Sequence, residues 1–572
     1  MRSLLARAFS LRFRSANACF FAAWLVSNSA DAAAPVLDHL FPAAVQVGTT
    51  NVVTAVGKFD PWPAKVWVDA PGIVFKAETN SGKFSVEVAA DAPVGGHLVR
   101  LYNEQGVSGL RFLVVTKERQ TEEVEPNNEF KKPQMVEAFP AFINGRLEKS
   151  GDVDSYAVAL EVGQTLVASV EAYTLASPVD AVLRVVDARG VQVAWNHDGG
   201  PTLDPFLTWT AKSAGTYVVQ VFGFGYPADS SVNFVGNAKC VYRLHLSRGP
   251  YVNHTVPLGV PRGRKRTLEL VGWNLPAPAS VEFDATTVAG DRSEARLIGK
   301  GFSNEVQLAV VDGEMLVERE PNDTASDTNR IMLPCGVTGR IDRAGDVDRF
   351  PFTARKDAKW LINVEAVALC FPLDAWVRIE DAQGKELAKN DGATGVDPKL
   401  EWTAPADGEF VVVVGNRLQR GGAEFRYHLL ARPAKPELRV TLTDSALALT
   451  PGQTNDFKVA LKRLHGFAGE LKVAATNLPP GLSVEPVAVA AKDNEAVLKF
   501  VASTNAPPWS GSLQISATET NGRPHRAVFE LTSATVNNGV PGGYQRLVVE
   551  STDQLWLTVL PAPKPKSDEK KK

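Results

Sequence analysis

Two short stretches of this chain crowd hard oxygen donors in the same order. In the first, Glu123, Glu125, Asn127 and Asn128 are followed by Asp152 and Asp154. In the second, Glu318, Glu320, Asn322 and Asp323 are followed by Asp346 and Asp348. Carboxylates and amides suit calcium, which takes roughly 6–8 oxygen ligands. No histidine or cysteine stands among them, which argues against zinc or copper. Asp323 replaces Asn128, so the second set has one more carboxylate and is expected to bind the ion more strongly. Pro126 and Pro321 would stiffen each opening segment. A purely structural reading competes with this one, because acidic and Asn side chains cap turns and Glu-Pro is a natural extended linker.

Other chemistry finds little footing. The sequence contains no H-E-x-x-H, no G-x-S-x-G and no G-x-x-x-x-G-K-[S/T]. His197 beside Asp198 is the best isolated acid–base candidate, yet the matching segment later reads Asn390-Asp391-Gly392, so a turn position is expected. Phe222-Gly223-Phe224-Gly225-Tyr226 lacks a third glycine and a following helix, and is expected to be a loop. Trp195, Trp209, Trp376 and Trp402 could line a ligand surface, but their strand positions favour core packing. There is no C-x-x-C, which removes zinc knuckles and thioredoxin-like motifs. Cys335 and Cys370 are both absent from the first repeat, so a disulfide between them is expected, leaving Cys240 single.

The elements that must position these residues are strands, and a repeat organises them. Gly151-Asp152-Val153-Asp154-Ser155-Tyr156 recurs as Gly345-Asp346-Val347-Asp348-Arg349-Phe350, Pro178-Val179-Asp180-Ala181 as Pro372-Leu373-Asp374-Ala375, and Asp204-Pro205 as Asp397-Pro398, all near an offset of 194 residues. Val182–Val186 and Val191–Ala194 flank Asp187-Ala188-Arg189-Gly190, which predicts a hairpin with Gly190 at φ > 0. Gly215–Val221 and Gly408–Val414 predict matching strands. β-Branched and aromatic runs broken by turns every ten or so residues predict an all-β chain of tandem β-sandwich modules, jelly-roll-like and immunoglobulin-like.

The first residues predict export. Arg2, Arg7, Arg12 and Arg14 precede a short apolar core at 16–26, and small residues at 29–34 offer cleavage after Ala32 or Ala34. An uncut anchor helix is the alternative; Cys19 lies inside the apolar core, against a lipoprotein. No later apolar stretch is long enough to span a bilayer, so the mature chain is expected to lack a transmembrane segment. With 44% hydrophobic and 22% charged residues, 572 residues make three to five globular domains. A net charge of −3 without a basic stripe disfavours nucleic acid.

The paired E-x-E-P-N-[N/D] and G-D-V-D-x-[Y/F] motifs resemble the bacterial pre-peptidase C-terminal domain, over about 120–248 and 318–433. The resemblance implies compact jelly-roll-like sandwiches found beside secreted proteases, in collagenases and in cell-surface proteins. It also implies calcium, which some members bind through this acidic opening and the later Asp pair. Residues 35–117 and 249–317 weakly resemble immunoglobulin-like modules of the TIG type, and 435–560 a further immunoglobulin-like unit, with 561–572 a disordered tail after it. The overall arrangement resembles exported proteins of planctomycete-type bacteria. Together these imply a non-catalytic exported binding or adhesion protein, periplasmic, secreted or on the cell surface, whose partner is an extracellular protein or polysaccharide. The alternative is an accessory subunit of a secreted protease or other exported enzyme, or a divergent hydrolase.

Overall fold

A computed structural model describes residues 33–199, 202–226, 233–288, 294–299, 301–324, 329–392, 397–532 and 548–562. The expected targeting segment 1–34 thus lies outside the described residues except for its last two, and the expected tail except for Pro561 and Ala562. Among the described residues no helix is long and apolar enough to cross a membrane.

The chain is all β, a series of sandwiches. Strands from Val36 to Thr116 (module 1) form a four- and a five-stranded sheet, and those from Gln120 to Ser247 (module 2) form two five-stranded sheets. Tyr251 to Val311 (module 3) gives two three-stranded sheets, and Glu314 to Pro433 (module 4) a five- and a four-stranded one. Strands from Glu437 to Val559 (module 5) join in one eleven-stranded sheet. The pattern behind this is the two-residue period of a pleated strand. Glu495–Ala502 alternates exposed and buried at every position, with Leu498 and Phe500 inside. Each module encloses its own apolar cluster, around Phe84, Tyr156, Leu308, Phe350 and Leu498 in turn.

The expected hairpin forms: Val179–Val186 pairs with Gln192–Asn196, and Gly190 sits at φ 80°. The repeat proves longer than its motifs. Val36–Phe41 and Tyr251–Val256 each pair with a following strand through a bulge at the same place, before His39 and before His254. Gly57 and Gly272 face the backbone oxygens of Val36 and Tyr251, where a Cβ would stand 1.9 and 2.0 Å away. Modules 1 and 2 therefore form one two-module unit, and modules 3 and 4 its second copy.

Two expectations are corrected. Phe222–Gly225 is not a loop; it continues the strand Gly215–Gly225 opposite Val179–Val182, where Gly223 allows the Asp180 backbone to approach. Cys335 and Cys370 are free thiols, as is buried Cys240. Cys335 pairs with Ala431, which pairs on its other side with Ile362. Two strand spacings, about 10 Å, thus separate Cys335 from the strand after which Cys370 ends a 3-10 turn. A disulfide needs Cα atoms within about 7 Å.

Candidate metal centres

The first acidic set is built where module 1 hands over to module 2. Strand Gln120–Glu122 runs parallel to Phe142–Asn144, and Glu123 extends it by donating its N–H to the Asn144 carbonyl at 3.0 Å. The Glu125–Pro126 peptide is cis. The chain then docks on the next strand, where Ser155 N–H donates to the Asn127 carbonyl at 3.1 Å. Gly151, at φ 83°, makes the turn that lets Asp152 Oδ2 accept the Glu148 N–H at 2.6 Å. This is a conformation L side chains disfavour, which accounts for the glycine in the G-D-V-D motif.

All six predicted residues of this set converge. Glu125, Asp152 and Asp154 each place one carboxylate oxygen within 4.8 Å of the others. Asn128 Nδ2 donates to Asp152 Oδ1, and Asn127 N–H to Glu125 Oε2 at 3.0 Å. Asp152, Asp154 and Asn127 are buried, and the Oδ1 atoms of Asn127 and Asp154 have no hydrogen-bond partner. Tyr242, absent from the sequence reading, closes the floor. Its hydroxyl donates to Asp154 Oδ2 at 2.6 Å and lies 3.3 Å from Glu123 Oε2, with the Tyr156 hydroxyl 2.6 Å away. The ring lies over Gly145, where a Cβ would stand 2.1 Å from Tyr242 Cζ. Burial, then mutual repulsion, pushes the Glu123 carboxyl well up, and burial does the same to Asp154. Burial also raises both tyrosines, which keeps them as donors.

The second set repeats this plan. Glu318, Glu320 and Asp348 bring carboxylate oxygens within 4.8 Å of one another. Tyr427 lies over Gly339 and donates to Asp348 Oδ2 at 2.5 Å. Asn322 N–H donates to Glu320 Oε2 at 3.1 Å, and Asp346 Oδ2 accepts the Asp342 N–H at 2.6 Å. The Oδ1 atoms of Asn322, Asp323, Asp346 and Asp348 have no partner, and all of these side chains but Asp323 are buried. Burial, then Asp348, raises Glu318. The second centre also differs from the first: its close triad takes Glu318 where the first takes Asp152, Arg349 donates to the Asp323 carbonyl at 3.0 Å where module 2 has Ser155, and Arg343 Nη2 donates to Asp323 Oδ2, so the extra carboxylate arrives with a cation.

Colinearity could have found the missed pieces. Gly145-Arg146 and Gly339-Arg340 keep the 194-residue offset, and Tyr242 and Tyr427 occupy matching strands, Val241–Ser247 and Arg426–Pro433. The repeated Asp204 and Asp397 turn out to be turn braces. Each accepts three backbone N–H groups at 2.7–3.0 Å, from 172–174 and 366–368. His197 stands between Asp180, at 3.1 Å, and Asp198, at 3.6 Å, all three half-buried. Of the tryptophans, Trp402 is in the core, Trp209 and Trp360 pack against core, Trp376 is flanked by Arg378 and Lys389, and Trp195 is 60% exposed.

No family model matches the chain. It is 33% identical, over 229 residues, to a probable subtilase-type serine protease of Deinococcus radiodurans. That match covers 40% of this chain and 28% of the relative, so the chain spans under a third of the relative's length. Among solved structures it is similar to the pre-peptidase C-terminal domain of a Bacillus anthracis collagenase, at 16% identity and a TM-score of 0.16, over 19% of this chain and all of that one. It is also similar to an M60 catalytic domain with two CBM51 domains from Clostridium perfringens, at 9% identity and a TM-score of 0.14, over 68% of this chain and 54% of that one.

Proposed function

We propose that the chain is a non-catalytic exported binding or adhesion protein whose sandwich modules are stiffened by calcium at the two acidic centres, with an extracellular protein or polysaccharide as partner. The supporting observation is the set of buried oxygens without donors: Oδ1 of Asn127 and Asp154 in one centre, and of Asn322, Asp346 and Asp348 in the other. A buried acceptor left unpaired costs about 1–3 kcal/mol, more when charged. A divalent cation would satisfy these atoms and the crowded carboxylates around them, and the all-oxygen donor set fits a hard ion. Glu123, Glu125, Asp152 and Asp154 with Asn127 and Asn128 would hold one ion; Glu318, Glu320, Asp323, Asp346 and Asp348 with Asn322 would hold the other.

The likeness to a probable subtilase-type protease favours a second reading, in which such modules serve as an accessory part of an exported protease. One purified preparation tests both. Melting with calcium and with chelator should differ, by about 2.7 kcal/mol of stability per site at a hundredfold excess over Kd. Identical melts remove the calcium reading. A peptidase, esterase and glycosidase panel should show no turnover; activity lost in a point variant such as His197→Ala overturns the non-catalytic reading.

A further inference from the structure

The two centres share a plan but differ at the corner occupied by Asn128 in one and Asp323 in the other, and in which carboxylates stand closest together. In module 2 that corner is Asn128, whose amide donates to Asp152. In module 4 it is Asp323, which binds Arg343, and Arg343 Nη1 also lies 3.6 Å from Asp346 Oδ1. Both carboxylates belong to the candidate ligand set; Asp323 Oδ1 has no hydrogen-bond partner, and Asp346 Oδ1 has only the distant guanidinium facing it. At the matching place in module 2 stands Lys149, exposed and without an ion pair among the described residues. Arg343 is 57% exposed at its side chain, so it can leave the centre without breaking a core.

We propose that Arg343 is a tethered competitor for the metal at the second centre: calcium binds there only by displacing the guanidinium from Asp323 and Asp346. This rests on the calcium reading above and adds regulation to it. The guanidinium cancels the one carboxylate by which the second set exceeds the first, so the two centres carry equal formal charge until Arg343 leaves. The bond to Asp323 is charge-assisted, the approach to Asp346 at 3.6 Å is electrostatic alone, and the exposure of the side chain makes both salt-sensitive. The first centre therefore binds calcium more tightly than the second. Affinity at the second responds to ionic strength and to anything that captures Arg343.

Calorimetric titration of the full chain with calcium chloride tests this. Asp348→Asn isolates the first centre and Asp154→Asn the second. The Asp154→Asn chain should bind calcium more weakly than the Asp348→Asn chain. Adding Arg343→Ala to Asp154→Asn should tighten its binding about tenfold, the effect of removing a cation a few ångströms from a divalent ion near a solvent-screened surface. Arg343→Lys should retain most of the competition. Equal affinity with and without Arg343→Ala overturns the competitor and leaves the calcium reading standing. No binding by the unmutated chain removes the calcium reading, and the competitor with it. Circular dichroism of each variant establishes that the fold is kept.

Discussion

Arg100 is buried to 1% exposure in module 1, and two of its partners, Ser445 and Trp556, lie in module 5. Its Nη2 donates to the Ser445 carbonyl at 2.9 Å, and its guanidinium carbon lies 5.8 Å from the Trp67 ring and 6.0 Å from the Trp556 ring. Leu98, Leu110 and Leu531 form a small apolar cluster beside it. Across the seam, Arg100→Ala removes a charged hydrogen bond to Ser445 worth about 1.5–3 kcal/mol and the cation–π contact with Trp556, worth about 0.5–2 kcal/mol. Against this, the buried guanidinium has an unpartnered Nη1, and relieving its desolvation returns part of the loss. The net should be about 2–4 kcal/mol, a shift of roughly 30- to 1000-fold toward undocked modules. Small-angle scattering should show a larger radius of gyration, and tryptophan emission should move to longer wavelength as Trp67 and Trp556 gain water. Arg100→Met, which keeps the stem between the rings, should open the chain less. Unchanged scattering and emission in Arg100→Ala would refute the view that Arg100 holds the two ends together.

Gly145→Ala should place its Cβ against the Tyr242 ring, 2.1 Å from Cζ, and lower the melting temperature of module 2. The expected cost is about 1–3 kcal/mol, with weakened calcium binding, since the same ring carries the hydroxyl bound to Asp154. A variant as stable and as calcium-responsive as the parent would contradict this. pH supplies a test without mutation. Burial, then repulsion from Asp154 and Asp348, holds Glu123 and Glu318 well above the usual carboxylate range, so the folded, calcium-free chain holds protons that the unfolded chain releases. For raised carboxylates, stability is fully present below the unfolded value and is lost as pH climbs toward the folded one. Buried His39 and half-buried His245 and His254 are lowered by desolvation and act in the opposite direction, but only near and below pH 6.5, where unfolded histidines charge. Between pH 7 and 9, melting temperature in chelator should therefore fall, and saturating calcium should flatten the fall. A chelated melting temperature that rises over that range would contradict the buried acidic cluster.

What was legible depended on how far apart in sequence the interacting groups lie. The G-D-V-D motif and its acidic opening segment are local, so their residue types alone marked a hard-oxygen cluster, and the alternation of apolar residues marked the strands around it. Tyr242 lies 88 residues from the Asp154 it binds, and only sheet order brings them together. Arg343 sits three residues before Asp346, close enough to see, but counting carboxylates as charges left out the cation that pairs with the extra one. Co-occurrence in one repeat points to a disulfide; strand order, which sequence spacing does not encode, places Cys335 and Cys370 too far apart. Modules 1 and 3 carry the same kind of signal in scattered positions: at an offset of 215 residues, Pro35, His39, Pro42, Gly48, Gly57 and Pro63 recur as Pro250, His254, Pro257, Gly263, Gly272 and Pro278, and the shared bulge shows what these residues hold in place.

The position of the acidic centres explains why stiffening is the property they would supply. Each begins directly after the strand that joins module 1 or module 3 to the next sandwich: Glu123 follows Gln120–Glu122, and Glu318 follows Glu314–Val317. Those strands pair in parallel with Phe142–Asn144 and Cys335–Thr338. From the same two strands, Asn144 grips both backbone groups of Ala44 at 2.9 and 3.2 Å, and Thr338 Oγ1 accepts the Leu258 N–H at 2.7 Å. An ion bound by Glu123 or Glu318 would thus be anchored at the seam within each two-module unit. The seam between units is made differently: Asn274 binds the Thr165 backbone and the Gly249 carbonyl, with no carboxylate in the contact. Metal loss should therefore loosen modules 1–2 and 3–4 while leaving the 2–3 contact in place. Hydrogen exchange at Ala44 and Leu258, compared with that at Thr165, would register the difference, because all three N–H groups are held by side chains across these seams.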